Sequence, residues 1–251
     1  MTAPRSLTVG VGLLLATVLG GLLLGGAAPA EQRPPRQSEA GHVARNPPAP
    51  ADSSAEVGFA RDMAVHHQQA VEMSLHVYRH GAAARVRTLA YDIAQTQATQ
   101  RGMMLGWLDL WGRTPSAKQP MAWMDMPPPS DADRRAGKLM PGMLSTAELD
   151  QLLHSRGARA ERLFLRRMIS HHRGGVHMAR GAVERAHHPV VVRLAPGMLE
   201  AQQAEIDEMT RLLRAGGGAP PSARPDADAR TGNESAPGHE HHPGSGARGR
   251  T

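Results

Sequence analysis

Two copies of a histidine and methionine motif carry the chemistry this chain offers. The first reads F-x-x-x-M-x-x-H-H-x-x-x-V-x-M over residues 59–73, and the second repeats it over residues 164–178, 105 positions later. Imidazole and thioether donors without thiolate suit copper, because thioether binds Cu(I) and imidazole binds either oxidation state. Eight side chains are therefore candidate metal ligands: His66, His67, His171, His172, Met63, Met73, Met168 and Met178.

The repeat extends beyond the motif and predicts the elements that position it. Identities continue at the same offset to residues 108 and 213, so the copies span 56–108 and 161–213. Apolar residues recur every three or four positions in each copy, which is typical of two amphipathic helices. One helical hairpin cannot cover its own apolar faces. The sequence therefore predicts an all-α, ferritin-like four-helix bundle over 56–214, in which a long crossover, 112–145, joins two repeated hairpins.

The two adjacent histidines of each motif cannot act from the same direction. Neighbouring residues on a helix diverge by about 100°, so one imidazole should face the partner hairpin and the other its own second helix. The same inner faces carry candidate supporting residues for the ligands: Glu56, Glu161, Gln97, Gln100, Gln202 and Glu205. These groups also allow a different interpretation, a buried hydrogen-bond network that only fixes the bundle, since buried imidazoles need partners in any case.

Other metals and catalytic functions have weaker support. A di-iron site of the ferritin type needs about four carboxylates and two histidines, whereas the inner faces offer only Glu56, Glu161 and Glu205. A metal-dependent oxidase is therefore the least favoured function. The chain carries no nucleophile elbow, His-Glu-x-x-His motif or phosphate loop. We expect a binding protein and not an enzyme.

Two further segments could add metal donors. The crossover is rich in methionine for a loop, and its thioethers are either adaptable packing or soft-metal ligands. The end of the chain contains His-Glu-His-His, and a short histidine tract can bind a divalent ion or have no role. The auxiliary candidates are Met121, Met124, Met126, Met140, Met143, His239, His241 and His242.

The ends of the chain indicate export. Residues 1–30 combine Arg5, an apolar run over 7–28 and a small-x-small sequence at Ala28-Pro29-Ala30, as in a signal peptide. The alternative is a retained N-terminal membrane anchor formed by residues 7–28. Residues 31–55 form a Pro-rich linker, and residues 215–251 have the composition of a disordered tail. We predict an extracytoplasmic protein, secreted or held at the cell surface.

Composition limits the classes of partner that the chain could bind. With 0 Cys, the chain has neither disulfides nor thiolate sites, and its soft donors are 14 Met and 14 His. The net charge of +6 could suit nucleic acid, but the chain has only 3 Trp, 2 Tyr and 2 Phe for base stacking and no nucleic-acid-binding motif. A metal ion is the expected partner, and the sequence does not identify a protein partner.

The motifs resemble those of domain-of-unknown-function family 305, exported bacterial proteins with helical, ferritin-like domains. The resemblance lies in F-A-R-D-M-A-V-H-H-Q-Q-A-V-E-M (59–73), M-P-G-M-L-S (140–145) and F-L-R-R-M-I-S-H-H-R-G-G-V-H-M-A (164–179), followed by Gln202, Glu205 and Met209. It implies the four-helix fold and, for some members, copper binding in the cell envelope. This chain departs from the family pattern at Ala160-Glu161, at Gly174-Gly175 and at His177, where an acid is usual.

The sequence as a whole favours an exported protein that binds and sequesters copper, as Cu(I) or Cu(II), outside the cytoplasmic membrane. The alternative is a non-catalytic structural or interaction domain with a buried His-Gln network.

Overall fold

A computed structural model describes residues 47–221 of the chain. The predicted signal or anchor (1–30), most of the linker and the tail histidines His239, His241 and His242 lie outside the described residues. So do nearly all residues of the predicted tail.

Four long helices form the bundle that the repeat predicts. The first hairpin consists of α1 (Ala55–His80) and α2 (Ala84–Leu110), and the second of α5 (Gly157–Arg185) and α6 (Pro189–Ala215). One short helix in the crossover, α3 (Asp131–Ala136), follows a 3-10 turn at Ala122–Met124, and a second, α4 (Thr146–Leu153), lies between the crossover and α5. The described part of the chain contains no strand. The all-helical prediction and the two helical hairpins are thereby confirmed.

Local sequence determines where several helices begin. The Ser54 hydroxyl accepts a hydrogen bond from the Val57 N–H at the start of α1. At α4, Ser145 and Glu148 form a reciprocal capping box, and α6 begins with Pro189 directly after its cap residue, His188. Ala83, the cap residue of α2, has no side chain that could cap the helix. Its N–H is satisfied by the other hairpin, as described below.

The hairpins meet where α1 packs against α5. Each of two core clusters combines the start of one of these helices with the end of the other. Phe59 and Met63 of α1 pack with Met178 of α5, and Phe164 and Met168 of α5 pack with Met73 of α1. The two helices therefore run antiparallel. We call these the first and second core clusters; the paired histidines of α1 and α5 lie between them along both helices.

The crossover is fixed to the first hairpin by two buried polar side chains. Asp62 accepts hydrogen bonds from the Met121 N–H at 2.7 Å and from the Trp123 indole N–H at 2.9 Å. The Gln69 amide donates to the Leu144 carbonyl at 3.0 Å and accepts from the Leu144 N–H at 2.8 Å. Buried polar groups of this kind require partners, and each here finds them on the crossover backbone. The crossover therefore has a defined path over the bundle.

No helix within residues 47–221 is both long and apolar enough to cross a membrane.

Candidate metal centre

Four buried histidines form the histidine layer, which we define as His66, His67, His171 and His172. Their exposed fractions are 1% for His66 and 0% for the other three. The His66 and His171 rings stack across the junction of the hairpins, with centroids 3.7 Å apart and planes inclined by 29°. His67 and His172 turn instead toward the second helix of their own hairpins. This is the division that the helical geometry of adjacent residues predicts.

Three of these imidazoles are held from outside by an oxygen atom. His66 Nε2 lies 3.2 Å from the Pro141 carbonyl, His67 Nε2 lies 2.9 Å from Gln100 Oε1, and His172 Nε2 lies 2.6 Å from Glu205 Oε2. A carbonyl or ionised carboxylate oxygen can only accept, so each Nε2 must carry the proton. In a neutral imidazole, Nδ1 is then the atom with the free lone pair.

Those lone pairs have no partner. The Nδ1 atoms of His66, His67 and His172 are buried without a hydrogen bond, and His171 lacks a partner at both ring nitrogens. Leaving one buried polar atom unsatisfied costs about 1–3 kcal/mol, and native structures contain few such atoms. In metalloproteins a ligating imidazole usually donates its second N–H to a carboxylate, carbonyl or water and turns its other nitrogen to the metal. Three of the four histidines have this arrangement of an external acceptor and a free nitrogen.

Burial keeps three of the four imidazoles neutral. Desolvation lowers the pKa of His66 to about 3, and charge repulsion from His67 adds to the effect. Desolvation also lowers the pKa of His67 to about 4, against the opposing hydrogen bond to Gln100. The pKa of His171 falls well below its usual value through burial first and repulsion from His66 second. At neutral pH these three imidazoles are unprotonated and can donate a lone pair.

The layer does not have the form of a closed chelate. No three or more His, Asp or Glu side chains of residues 47–221 are grouped so that they could hold a metal ion. The stacked rings of His66 and His171 account for part of this, because a nitrogen lone pair lies in the plane of its ring and so does not point toward a ring stacked on it. An ion bound here would require rotation of an imidazole or a thioether from a neighbouring turn.

Thioethers lie on both sides of the layer. Met63 and Met168 each precede the first histidine of their motif by three residues, about 4.5 Å along a helix. Met73 and Met178 each follow the second histidine by six residues, about 9 Å. All four are fully buried, and each core cluster contains one near and one far methionine. Met63 and Met168 are therefore better placed than Met73 and Met178 to share an ion with the layer.

The crossover methionines all pack on the first core cluster. Met121, Met140 and Met143 are buried members of it, and Met124 and Met126 are partly buried against it. Met124 contacts α5 at Gly181, where a Cβ atom would come within 2.6 Å of its methyl carbon. These contacts are those of adaptable packing side chains. A role as metal ligands stays a prediction for these five residues.

The candidate supporting residues separate into two groups. Gln100 and Glu205 bond histidines, as above. Gln97 and Gln202 are buried beside the layer with unpartnered polar atoms, and Gln202 packs against Gly175 so closely that a Cβ atom there would overlap its amide. Glu56 and Glu161 lie at the ends of the bundle instead.

Glu56 and Glu161 satisfy backbone amides of the opposite hairpin. The Glu56 carboxylate accepts from the N–H groups of His187 at 2.7 Å and His188 at 3.1 Å, and the Glu161 carboxylate accepts from the Ala83 N–H. Ala83 and His188 are equivalent positions of the repeat and are the cap residues of α2 and α6. Burial alone would raise the pKa of Glu56, but these N–H donors outweigh it and lower the pKa. The two carboxylates fasten the hairpins together, and neither hydrogen-bonds a histidine of the layer.

Residues that the sequence analysis did not count as candidate site residues hold the crossover over the layer. The Pro141 carbonyl that binds His66 also faces Gly174, where a Cβ atom would overlap it. Gly142, at a φ of 79°, lies against the backbone carbonyls of Ser170 and His171. Gly174 thus serves close approach of the crossover to α5. The M-P-G-M sequence was visible, but a contact made through a backbone carbonyl has no side-chain signature.

Fold and site together define an all-helical bundle of two repeated hairpins with a buried, doubled histidine motif at their junction. Residues 56–213 match the family described as "Domain of unknown function (DUF305)". The chain belongs to this family, which confirms the resemblance seen in the sequence.

Solved structures similar to the chain include two of the same family. A DUF305 protein from Streptomyces coelicolor, described as secreted, is 51% identical with a TM-score of 0.62, covering 68% of this chain and 99% of its own. A DUF305 fragment from Deinococcus radiodurans is 33% identical with a TM-score of 0.54, covering 67% and 99%. CopM in a Cu(II)-bound form is 23% identical with a TM-score of 0.49, covering 64% and 97%. Similarity of that last degree does not establish a shared ligand. No curated protein is detectably similar to the chain.

Proposed function

We propose that this chain is an extracytoplasmic copper-binding protein that sequesters the ion at the histidine layer. The observation that carries the proposal is the set of buried imidazoles that are bonded externally through Nε2 and left unpartnered at Nδ1. In a purely structural network both nitrogens of a buried imidazole would be satisfied. The unpartnered nitrogens are available for a metal ion.

The chemistry of the surrounding donors favours copper. The thioethers beside the layer suit Cu(I), and the imidazoles suit Cu(I) and Cu(II). Hard ions such as iron in a di-iron site need several carboxylates, yet Glu56 and Glu161 accept hydrogen bonds from backbone amides at the ends of the bundle. Glu205 is the only one of the three inward carboxylates that hydrogen-bonds a histidine of the layer.

Export is part of the proposal. The N-terminal sequence has the form of a signal peptide or anchor, and the 51% identical relative from Streptomyces coelicolor is described as secreted. The sequence contains none of the catalytic motifs considered above. We therefore propose binding without catalysis.

The rival function is a structural or interaction domain, favoured by the hydrogen bond from His67 to Gln100 and by the continuous packing around the layer. A copper titration of the purified chain separates the two. Cu(I) affinity would be measured by competition with a chromogenic chelator and Cu(II) affinity by calorimetry.

Three variants make the titration specific. Replacing all four histidines of the layer by Ala should abolish tight binding, whereas replacing His239, His241 and His242 by Ala should leave it intact. If the first variant does not keep its helical circular dichroism, the pair His66→Leu and His171→Leu, which preserves volume, takes its place. Tight binding that survives loss of the layer, or no binding by the wild type, would contradict the proposal.

A further inference from the structure

The two halves of the histidine layer differ at one pair of equivalent positions. His67 and His172 occupy the same place in the two repeats, and so do their acceptors, Gln100 and Glu205. Each contact runs from Nε2 to a side-chain oxygen on the second helix of the same hairpin, at 2.9 Å in the first half and 2.6 Å in the second. The geometry is repeated, but a neutral amide in one half is replaced by a carboxylate in the other.

Glu205 is suited to act through His172. Its side chain is 19% exposed, and its carboxylate accepts a hydrogen bond from this imidazole. The neighbouring acid of α6, Glu208, pairs instead with Arg85 and Arg211. The Nδ1 atom of His172 is buried and unpartnered, so the imidazole connects the carboxylate on one side with a free donor atom on the other.

A carboxylate behind an imidazole affects ions of different charge unequally. It raises the electron density at the donating nitrogen, and it adds one negative charge to a dry site. Coulomb attraction to that charge is twice as large for a divalent as for a monovalent ion. An amide in the same place orients the imidazole equally well but supplies no charge.

We propose that Glu205 is a positioning residue that sets the charge preference of the metal site, making the His172 half select divalent over monovalent ions. Gln100 leaves the His67 half without this preference. The inference rests on the proposed metal-binding function, and it makes the two halves of the pseudo-symmetric layer chemically distinct.

Repeat symmetry provides matched variants for the test. E205Q removes the charge and keeps an oxygen that can accept from His172, Q100E adds a charge to the other half, and the double variant exchanges the two. Cu(I) and Cu(II) affinities of the full chain would be measured for wild type and all three variants. Long-range ¹H–¹⁵N spectra of the metal-free proteins would verify that Nε2 of His172 stays protonated in E205Q.

E205Q should weaken Cu(II) binding by about 10–100-fold and change Cu(I) binding much less. This change would raise the reduction potential of the bound copper by roughly 60–120 mV, at 59 mV per tenfold change for one electron. Q100E should strengthen Cu(II) binding, and the double variant should return the ratio of the two affinities toward that of the wild type.

Other outcomes overturn the inference. Equal losses for Cu(I) and Cu(II) in E205Q would show that Glu205 acts through packing alone, as would a double variant that behaves like E205Q. If the wild type binds copper but E205Q has the same ratio of Cu(II) to Cu(I) affinity, the role of Glu205 is rejected and the proposed function stands. A wild type that binds no copper would overturn both the role of Glu205 and the proposed function.

Discussion

His66 and His171 stack at 3.7 Å although they belong to different hairpins. They are equivalent residues of the repeat, so the pseudo-twofold relation between the hairpins passes between their rings. His66 has one hydrogen bond, to the Pro141 carbonyl, and His171 has none at either nitrogen. This buried contact between the hairpins therefore contains three ring nitrogens without a hydrogen-bond partner.

Replacement of His171 distinguishes a binding site from a structural network. His171→Leu should raise the free energy of unfolding of the metal-free protein by about 1–2 kcal/mol, because it removes two unsatisfied buried nitrogens. His67→Leu breaks the bond to Gln100 and should give a smaller gain or a loss. Both variants should lose copper affinity. Urea denaturation with a chelator present gives the two stabilities. A strong destabilisation by His171→Leu would favour the structural network.

Periodicity was sufficient to predict the bundle and the division of the histidines. The 3.6-residue period determines which residues share a face, and the 100° step between neighbours predicts that adjacent histidines face different helices. The structure shows the assignment: His66 stacks on the partner hairpin and His67 bonds the second helix of its own. A helical wheel gives the angle of a residue and not its height. Glu56 lies within about 20° of His67 on the wheel but eleven residues away, about 16.5 Å along the helix, so it reaches the turn before α6 instead.

The contacts of the crossover could not be predicted in the same way. Asp62 and Gln69 bond backbone groups of residues 121 and 144, and neither residue is matched by an identical one in the second repeat. Contacts at long sequence separation that end on backbone atoms leave no periodic pattern. The sequence shows that the crossover is unusually rich in methionine. Only the structure shows that these methionines cover the first core cluster.

Gly174 should tolerate no side chain. Gly174→Ala brings a Cβ atom into the Pro141 carbonyl, and overpacking of this kind typically costs 1–3 kcal/mol, partly offset by about 1 kcal/mol of helix propensity. Gly102 in α2 has no atom within 4 Å of an added Cβ, so Gly102→Ala should stabilise the protein by up to about 1 kcal/mol. Thermal unfolding of both variants measures the difference. Equal effects at the two glycines would contradict the close packing of the crossover on α5.

Glu56 and Glu161 should contribute equally to stability and nothing to metal binding. Their carboxylates accept from equivalent cap residues, and loss of such a helix-start contact costs about 0.5–2 kcal/mol. We expect Glu56→Ala and Glu161→Ala to destabilise the chain by similar amounts with unchanged copper affinity. Glu72→Ala, at an exposed position of α1, is the control and should stay within about 0.5 kcal/mol. Reduced copper affinity in Glu56→Ala or Glu161→Ala would instead show that these residues support the metal site.

Acid should begin to destabilise the metal-free protein near the pKa of unfolded histidine. His66 and His67 have folded pKa values of about 3 and 4, and that of His171 is also lowered, whereas unfolded histidine titrates near 6.5. Unfolding below pH 6.5 therefore takes up protons, so the stabilising effect of burying neutral imidazoles is complete above pH 6.5 and decreases as the pH falls. The free energy of unfolding should fall by about 1.4 kcal/mol per pH unit for each such histidine.

The range between pH 6.5 and 5 is suited to measuring this effect, because it lies below the pKa of unfolded histidine and above the ordinary pKa values of Asp and Glu. Urea titrations at several pH values with a chelator present should give a slope equivalent to two to three protons. The slope should decrease by up to one proton in His171→Leu and stay unchanged in His177→Ala, because His177 is exposed on the outer face of α5. A stability that does not vary across this range would mean that the layer is protonated or hydrated in the folded protein. Such a layer would not present free lone pairs to a metal ion.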